Sequence, residues 1–232
     1  MYISLLAARA AAQESEAADA LYAGRANPAS ARTAVDLLDR LAGARPADFE
    51  VAWKLARACY WMGEHAAPDA RRGFLERGVS AAERARRLQA DRPEGHFWLA
   101  ANMGALAESF GLRMGLRYRK PIKEALETVQ TIDPAFMEGA ADRALGRWYF
   151  RVPRLFGGDK RAAEAHLLAS LRYDPDSTIG HYFLAELYLE TGRTADARSA
   201  AQAVLDAPLS ADWAPEDEEY KARARALLTR IR

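Results

Sequence analysis

A chain of 232 residues, half of them apolar, is long enough for one large domain or an extended array and can bury a sizeable core. Its 33 Lys and Arg against 32 Asp and Glu leave a net charge of +1, so the chain as a whole exerts no electrostatic pull toward nucleic acid or a membrane. The single cysteine, Cys59, excludes an internal disulfide and a cysteine-built metal site, and its setting in "LARACYWMG" reads as a buried structural thiol.

The opening stretch, "MYISLLAARAAAQE", lacks the run of about 20 apolar residues that a membrane-spanning helix needs. Residues 1–13 fit two readings, the remnant of a secretory signal or a frayed Ala-rich first helix. The first implies a periplasmic protein and the second a cytoplasmic one. From residue 14 to 232 the pattern is continuous, as in a single domain. Prolines recur after amphipathic helical preludes: "LDRLAGARP" to Pro46, "ARRLQADRP" to Pro93, "LETVQTIDP" to Pro134, "LASLRYDP" to Pro175 and "AQAVLDAP" to Pro208. Proline stops one helix and sets the path to the next. The expected hairpins are 14–46, 47–93, 94–134, 135–175 and 176–208.

Four of the segments after these prolines align on a leucine followed by a small residue. These are Leu55-Ala56, Leu99-Ala100, Leu145-Gly146 and Leu184-Ala185, with Cys59, Met103, Tyr149 and Tyr188 four residues beyond each leucine. The small residue lets two helices approach closely, and the larger ones fill the groove beside it. This is the Leu-(Gly/Ala)-x-x-Tyr part of the tetratricopeptide repeat (TPR) pattern. Second-helix stripes follow at Ala34, Leu38 and Leu41; Ala81, Ala85 and Leu88; Ile122, Leu126 and Val129; Ala163, Leu167 and Ser170; and Ala197, Ala201 and Val204. The expected fold is all-α, a TPR-like right-handed solenoid of about five hairpins with lengthened A–B connections. A capping helix at 215–232 closes it, acidic at its start and basic toward its end as the helix dipole favours. Three hairpins exceed the usual 34 residues, by surplus near 61–80, 104–120 and 150–160.

The stretches "VAWKLARACYWMG", "PEGHFWLAANMGA", "KPIKEALETVQTIDP", "ALGRWYFRV" and "APLSADWAPEDEEYKARARALL" resemble the helical domain of the regulator-of-microtubule-dynamics family. The resemblance extends from about residue 18 to 232. That family includes a mitochondrial outer-membrane tether whose TPR domain binds phospholipid. The same pattern, including "GRWYFRVPRLFGGDKRAAEAHLLASL", is similar to the TPR-containing T component of bacterial TRAP transporters, a periplasmic lipoprotein that meets a solute-binding protein. The two relatives imply different partners, and with no lipobox cysteine or anchor-like run in residues 1–232 the expectation is a mode of attachment unlike theirs.

No pattern for a metalloprotease, a serine hydrolase or a redox dithiol is present, so no catalytic residue, cofactor or metal ligand is expected. In "FGGDKR" the P-loop pattern is incomplete, and Gly157-Gly158 read as a turn with Asp159 capping the next helix. His96 and His181 share one register, in "GHFWLA" and "GHYFLA", where Ala52 and Asp142 stand in the other units; they suit packing, a helix-face hydrogen bond or a ligand-facing role. The remaining candidates mix apolar and basic side chains in the surplus segments: Phe110, Arg113, Met114, Arg117 and Tyr118, then Arg147, Trp148, Arg151 and Phe156. They are either packed stripes with solvated arginines or an apolar cleft rimmed by guanidinium groups. Two functions follow. One is a non-catalytic scaffold for a partner protein, such as an exported solute-binding or envelope protein. The other is a carrier or sensor of a lipid-like amphiphile.

Overall fold

The computed structural model describes the backbone of residues 2–231 and the side chains of residues 13–231. The leader-or-helix question for residues 1–13 falls almost entirely outside the described side chains. Eleven α-helices occur in this range: α1 (Tyr2–Ala23), α2 (Pro28–Ala44), α3 (Phe49–His65), α4 (Pro68–Leu88), α5 (Pro93–Ser109), α6 (Leu112–Ile132), α7 (Ala140–Arg151), α8 (Lys160–Ser170), α9 (Thr178–Glu190), α10 (Thr194–Asp206) and α11 (Ala214–Arg230). No strand occurs among the described residues. The chain divides into two compact units, Met1–Met114 and Gly115–Arg232.

Helix starts follow local chemistry. Asn27 accepts a hydrogen bond from the Ala29 amide with Pro28 in the first turn, and Asp48 and Ser177 cap α3 and α9 in the same way. Pro68 and Pro93 open α4 and α5, where the missing amide hydrogen costs nothing. The surplus residues near 61–80 and 104–120 are taken up as helix rather than as long connections. Only Ala66 and Ala67 separate α3 from α4, and only Phe110 and Gly111 separate α5 from α6. Proline at a first helical turn starts a helix, so Pro68 extends the hairpin instead of breaking it. The surplus near 150–160 differs: residues 152–159 form a connection containing a short 3-10 turn, Arg154–Phe156.

In the first unit, Val35 and Leu38 of α2, Leu55, Ala56 and Cys59 of α3, Leu75 and Ala82 of α4, and Leu99 and Leu106 of α5 make the core. Burial pushes the Cys59 thiol up to about 12. Asn102 is fully buried there, donating to the carbonyls of Ala56 (3.1 Å) and Trp98 (2.8 Å), and it lies against Gly78 of α4. In the second unit, Leu145, Leu167, Leu184, Leu187, Ala201 and Leu227 are buried. The second-helix stripes hold with one exception: Leu88 is 36% exposed, because it is the last residue of α4 and has no further turn above it.

Four glycines set helix spacing. A Cβ at Gly63 would lie 2.3 Å from Leu75, and one at Gly146 would lie 2.6 Å from Leu167, across the α3–α4 and α7–α8 hairpins. A Cβ at Gly95 would lie 2.7 Å from the backbone nitrogen of Arg86, and one at Gly180 would lie 2.9 Å from Leu171, where a hairpin meets the one before it. Gly104, in the middle of α5, has open space instead. Gly95→Ala is therefore expected to destabilise by about 1–3 kcal/mol through overpacking against a backbone that cannot turn aside. Gly104→Ala is expected to stabilise by about 0.5–1 kcal/mol through helix propensity. Urea titration of the two variants beside the parent checks both signs.

Candidate interaction surface

The recurring leucines fix a common register for α3, α5, α7 and α9, and all four are buried. Two residues before them stand Trp53, Phe97, Arg143 and Tyr182; two residues after stand Arg57, Ala101, Arg147 and Glu186. All eight positions are half-buried. Each first helix thus keeps the same stripe partly open, one turn apart on one face.

In the first unit this stripe is aromatic and cationic. The Arg57 guanidinium lies 3.9 Å from the centroid of Tyr22 and 4.9 Å from that of Trp53, and it pairs with Asp19 at 3.3 Å. Burial lowers its pKa and the Tyr22 and Asp19 charges oppose that shift. Lys54 also reaches Asp19, at 2.7 Å. Arg25 stacks on Trp61, whose indole N–H donates to the Arg25 carbonyl at 3.0 Å.

In the second unit Arg147 bridges α7 and α9. It pairs with Glu186 at 2.5 Å and lies 4.8 Å from the centroid of Phe183. Tyr182 and Phe183 pack on Tyr220 of α11 at 5.3 and 5.9 Å, and Arg223 covers Tyr220. Burial first, then the Glu186 carboxylate, raises the Tyr182 hydroxyl above the usual tyrosine range. On the other side of α7, buried Asp142 accepts from Gln130 (2.8 Å) and from the Nδ1–H of His166 (2.7 Å). The His166 ring stacks on Tyr149 at 5.3 Å, and the Lys123 ammonium lies 5.3 Å from the Tyr149 ring centroid. Asp142 is thereby a tie between α6, α7 and α8.

His96 and His181 repeat one device. In each case ring Nε2–H donates to the carbonyl six residues earlier, Ala90 at 2.9 Å and Pro175 at 2.8 Å. The adjacent glycines, Gly95 and Gly180, bring the preceding helix close enough for the loop to pass beneath the ring. His65 stacks on Trp61 at 3.7 Å. No cluster of three or more His, Cys, Asp or Glu suited to a metal occurs among the described residues.

The other expected residues divide between the units. Phe110, at the end of α5, lies under Arg72 with 4.2 Å to its ring centroid, while Arg113 and Met114 sit in the first turn of α6. Arg117 covers Tyr118 on α6. Trp148 is buried and donates its indole N–H to the Arg119 carbonyl at 2.8 Å; Phe156 lies under the Arg119 guanidinium; Arg151 is exposed at the end of α7. Trp148, Phe156 and Arg119 therefore form one cluster. The half-open residues Trp53, Arg57, Tyr182 and Glu186 were not among the sequence-derived candidates, although their fixed offset from Leu55 and Leu184 marks them.

Stacked α-hairpins with small residues at the crossings, on a repeating leucine register, define a TPR-like protein. A thermophilic TPR protein of Thermus thermophilus has this fold, with a TM-score of 0.71 and 21% identity over 94% of this chain and 99% of that one. A monomeric mutant of IFIT1 with Gppp-AAAA is a looser likeness, with a TM-score of 0.43 and 14% identity over 87% of this chain and 54% of that one, and it has no bearing on function. No curated protein sequence matches. The chain belongs to the family described as Regulator of microtubule dynamics protein 1-3, which it matches over residues 15–169. No helix among the described residues is long and apolar enough to cross a membrane.

The connection 152–159 yields a pH prediction. The Asp159 carboxylate accepts from the amides of Arg161 (2.8 Å) and Ala162 (3.2 Å), which holds it below the usual carboxylate range. Its capping contribution is complete above the pKa of the unfolded carboxylate and is lost as pH falls through the lower folded value. Asp159→Ala should lower the melting temperature at pH 7, and the gap to the parent should close on acidification below about pH 4. A persistent gap at low pH would mean that packing, not the cap, is lost.

Proposed function

We propose that this protein is a non-catalytic scaffold that holds a partner protein along the first-helix face of its hairpins. The observation that carries the reading is a half-open stripe within each unit, Trp53, Arg57 and Phe97 in the first and Arg143, Arg147 and Tyr182 in the second. Trp, Tyr and Arg are the residues that most often anchor protein interfaces, because they offer large contact area with few rotamers to freeze. Solenoid repeats present that side of their helices as an extended binding surface. The aromatic side chains of the surplus segments are less available. Trp148 and Phe150 are buried, which favours a protein partner over an amphiphile held in an apolar cleft.

The test is site-specific photocrosslinking in the source cells. A photoreactive phenylalanine analogue at Trp53 or Phe97 should capture a discrete partner band. The same analogue at Arg87, exposed on α4, should not. Equal capture at both kinds of position, or none at the stripe, counts against the scaffold.

A further inference from the structure

The overall charge of +1 conceals a segregation within residues 115–232. The segments 115–123 and 143–161 hold ten Lys and Arg and a single carboxylate, Asp159. The other residues of this unit hold eight Lys and Arg against seventeen Asp and Glu. Asp159 offsets little of the excess, since its carboxylate caps α8. Within the group Lys123 pairs with Glu127, Arg147 with Glu186 and Lys160 with Glu190, and Arg143 donates to the Glu138 carbonyl. A net excess remains after those pairs.

The fold brings the two basic segments to one place. The indole N–H of Trp148 on the Arg119 carbonyl, Arg119 over Phe156, and Lys123 over the rings of Trp148 and Tyr149 fasten the start of α6 to the end of α7. Arg143, Arg147 and Arg151 follow one another at four-residue spacing, a ladder of about 12 Å along α7. It continues into the 3-10 turn with Arg154. Beside Arg154 stands Leu155, 87% exposed.

This leucine is not on a loose loop. The Phe156 and Gly158 amides both donate to the Pro153 carbonyl, Gly157 donates to Arg154, and Asp159 donates to Tyr149. Gly157 has φ +106°, and a Cβ at Gly158 would lie 1.7 Å from the Val152 carbonyl oxygen, so the turn accepts only this backbone path. A fixed, uncovered leucine among cations is a preformed anchor.

We propose that this basic, leucine-tipped end takes an acidic amphipathic segment of the partner protein, as the part of the first-helix face that sets charge specificity; the proposal rests on the scaffold reading above. A ladder running along a helix axis fits a chain lying beside it, whereas a bilayer would meet only the tip. A single-stranded nucleic acid would need free aromatic faces to stack on. Here Phe156 lies under Arg119, Tyr149 lies between His166 and Lys123, and Trp148 is buried.

The test uses the full chain and a fluorescein-labelled amphipathic peptide with Glu on one helix face and Leu on the other, followed by anisotropy. The Glu/Leu peptide should bind, its Lys-for-Glu counterpart should not, and affinity should fall steadily from low to high salt. Arg151→Glu with Arg154→Glu should weaken binding about tenfold, and Leu155→Asp severalfold, with unchanged circular dichroism. Arg225→Glu, on α11, should change it less than twofold. Equal binding of the Lys peptide, indifference to all three substitutions at the tip, or preferential binding of anionic vesicles or of duplex DNA through the same residues overturns the proposal. If the peptide fails while crosslinking at Trp53 persists, the charge assignment falls and the scaffold stands. Loss of both removes the scaffold itself.

Discussion

Where Gly95 meets the backbone of Arg86, one added carbon would force two hairpins apart. At Gly63 on Leu75 and Gly146 on Leu167 it would instead push apart the two helices of one hairpin. Nearly everything else in each unit depends on these approaches. The stripe of a first helix also meets its neighbour directly, as Arg147 meets Glu186 and Arg57 meets Tyr22. The close approaches also let a buried amide donate across helices. Asn102 can reach the Ala56 carbonyl only because Gly78 leaves room behind it. A polar side chain at 0% exposure is costly unless it is bonded, so Asn102 specifies the spacing of α3, α4 and α5 as much as it tolerates it.

Asp142 plays the corresponding part in the second unit. It occupies the register of His96 and His181 but looks the other way. The two histidines reach back along their own chain to a loop carbonyl, while Asp142 reaches across to His166 and Gln130. One repeat position thus serves two tasks, closing the loop between hairpins or tying three helices together. The two histidines that share one register in the sequence are a matched pair of loop fasteners.

The repeat itself was legible because leucine and small residues recur at fixed offsets, and burial of Leu55, Leu99, Leu145 and Leu184 follows directly from that pattern. What the pattern could not convey was how surplus residues are spent. The surplus near 61–80 reads as a lengthened connection, yet proline in a first turn begins a helix, and Pro68 opens α4. Leu88 continues its helical stripe by period but lies past the last covering turn. The carbonyl that each histidine meets depends on the path of the preceding loop, and the Asp142–His166 tie depends on a pairing 24 residues apart. Charge segregation, by contrast, was present in the letters all along and was hidden by summing over the whole chain.

The single thiol gives this fold a built-in clock. Cys59 is wholly enclosed by the first unit, and its thiolate is suppressed at neutral pH by burial. Since only an exposed thiolate reacts at an appreciable rate, a thiol reagent added to the folded protein reports how often α3 opens, rather than the chemistry of the sulfur. No label need be engineered, and no second cysteine confuses the signal. The rate at which Cys59 becomes reactive measures the breathing of the first unit while the second unit stays silent.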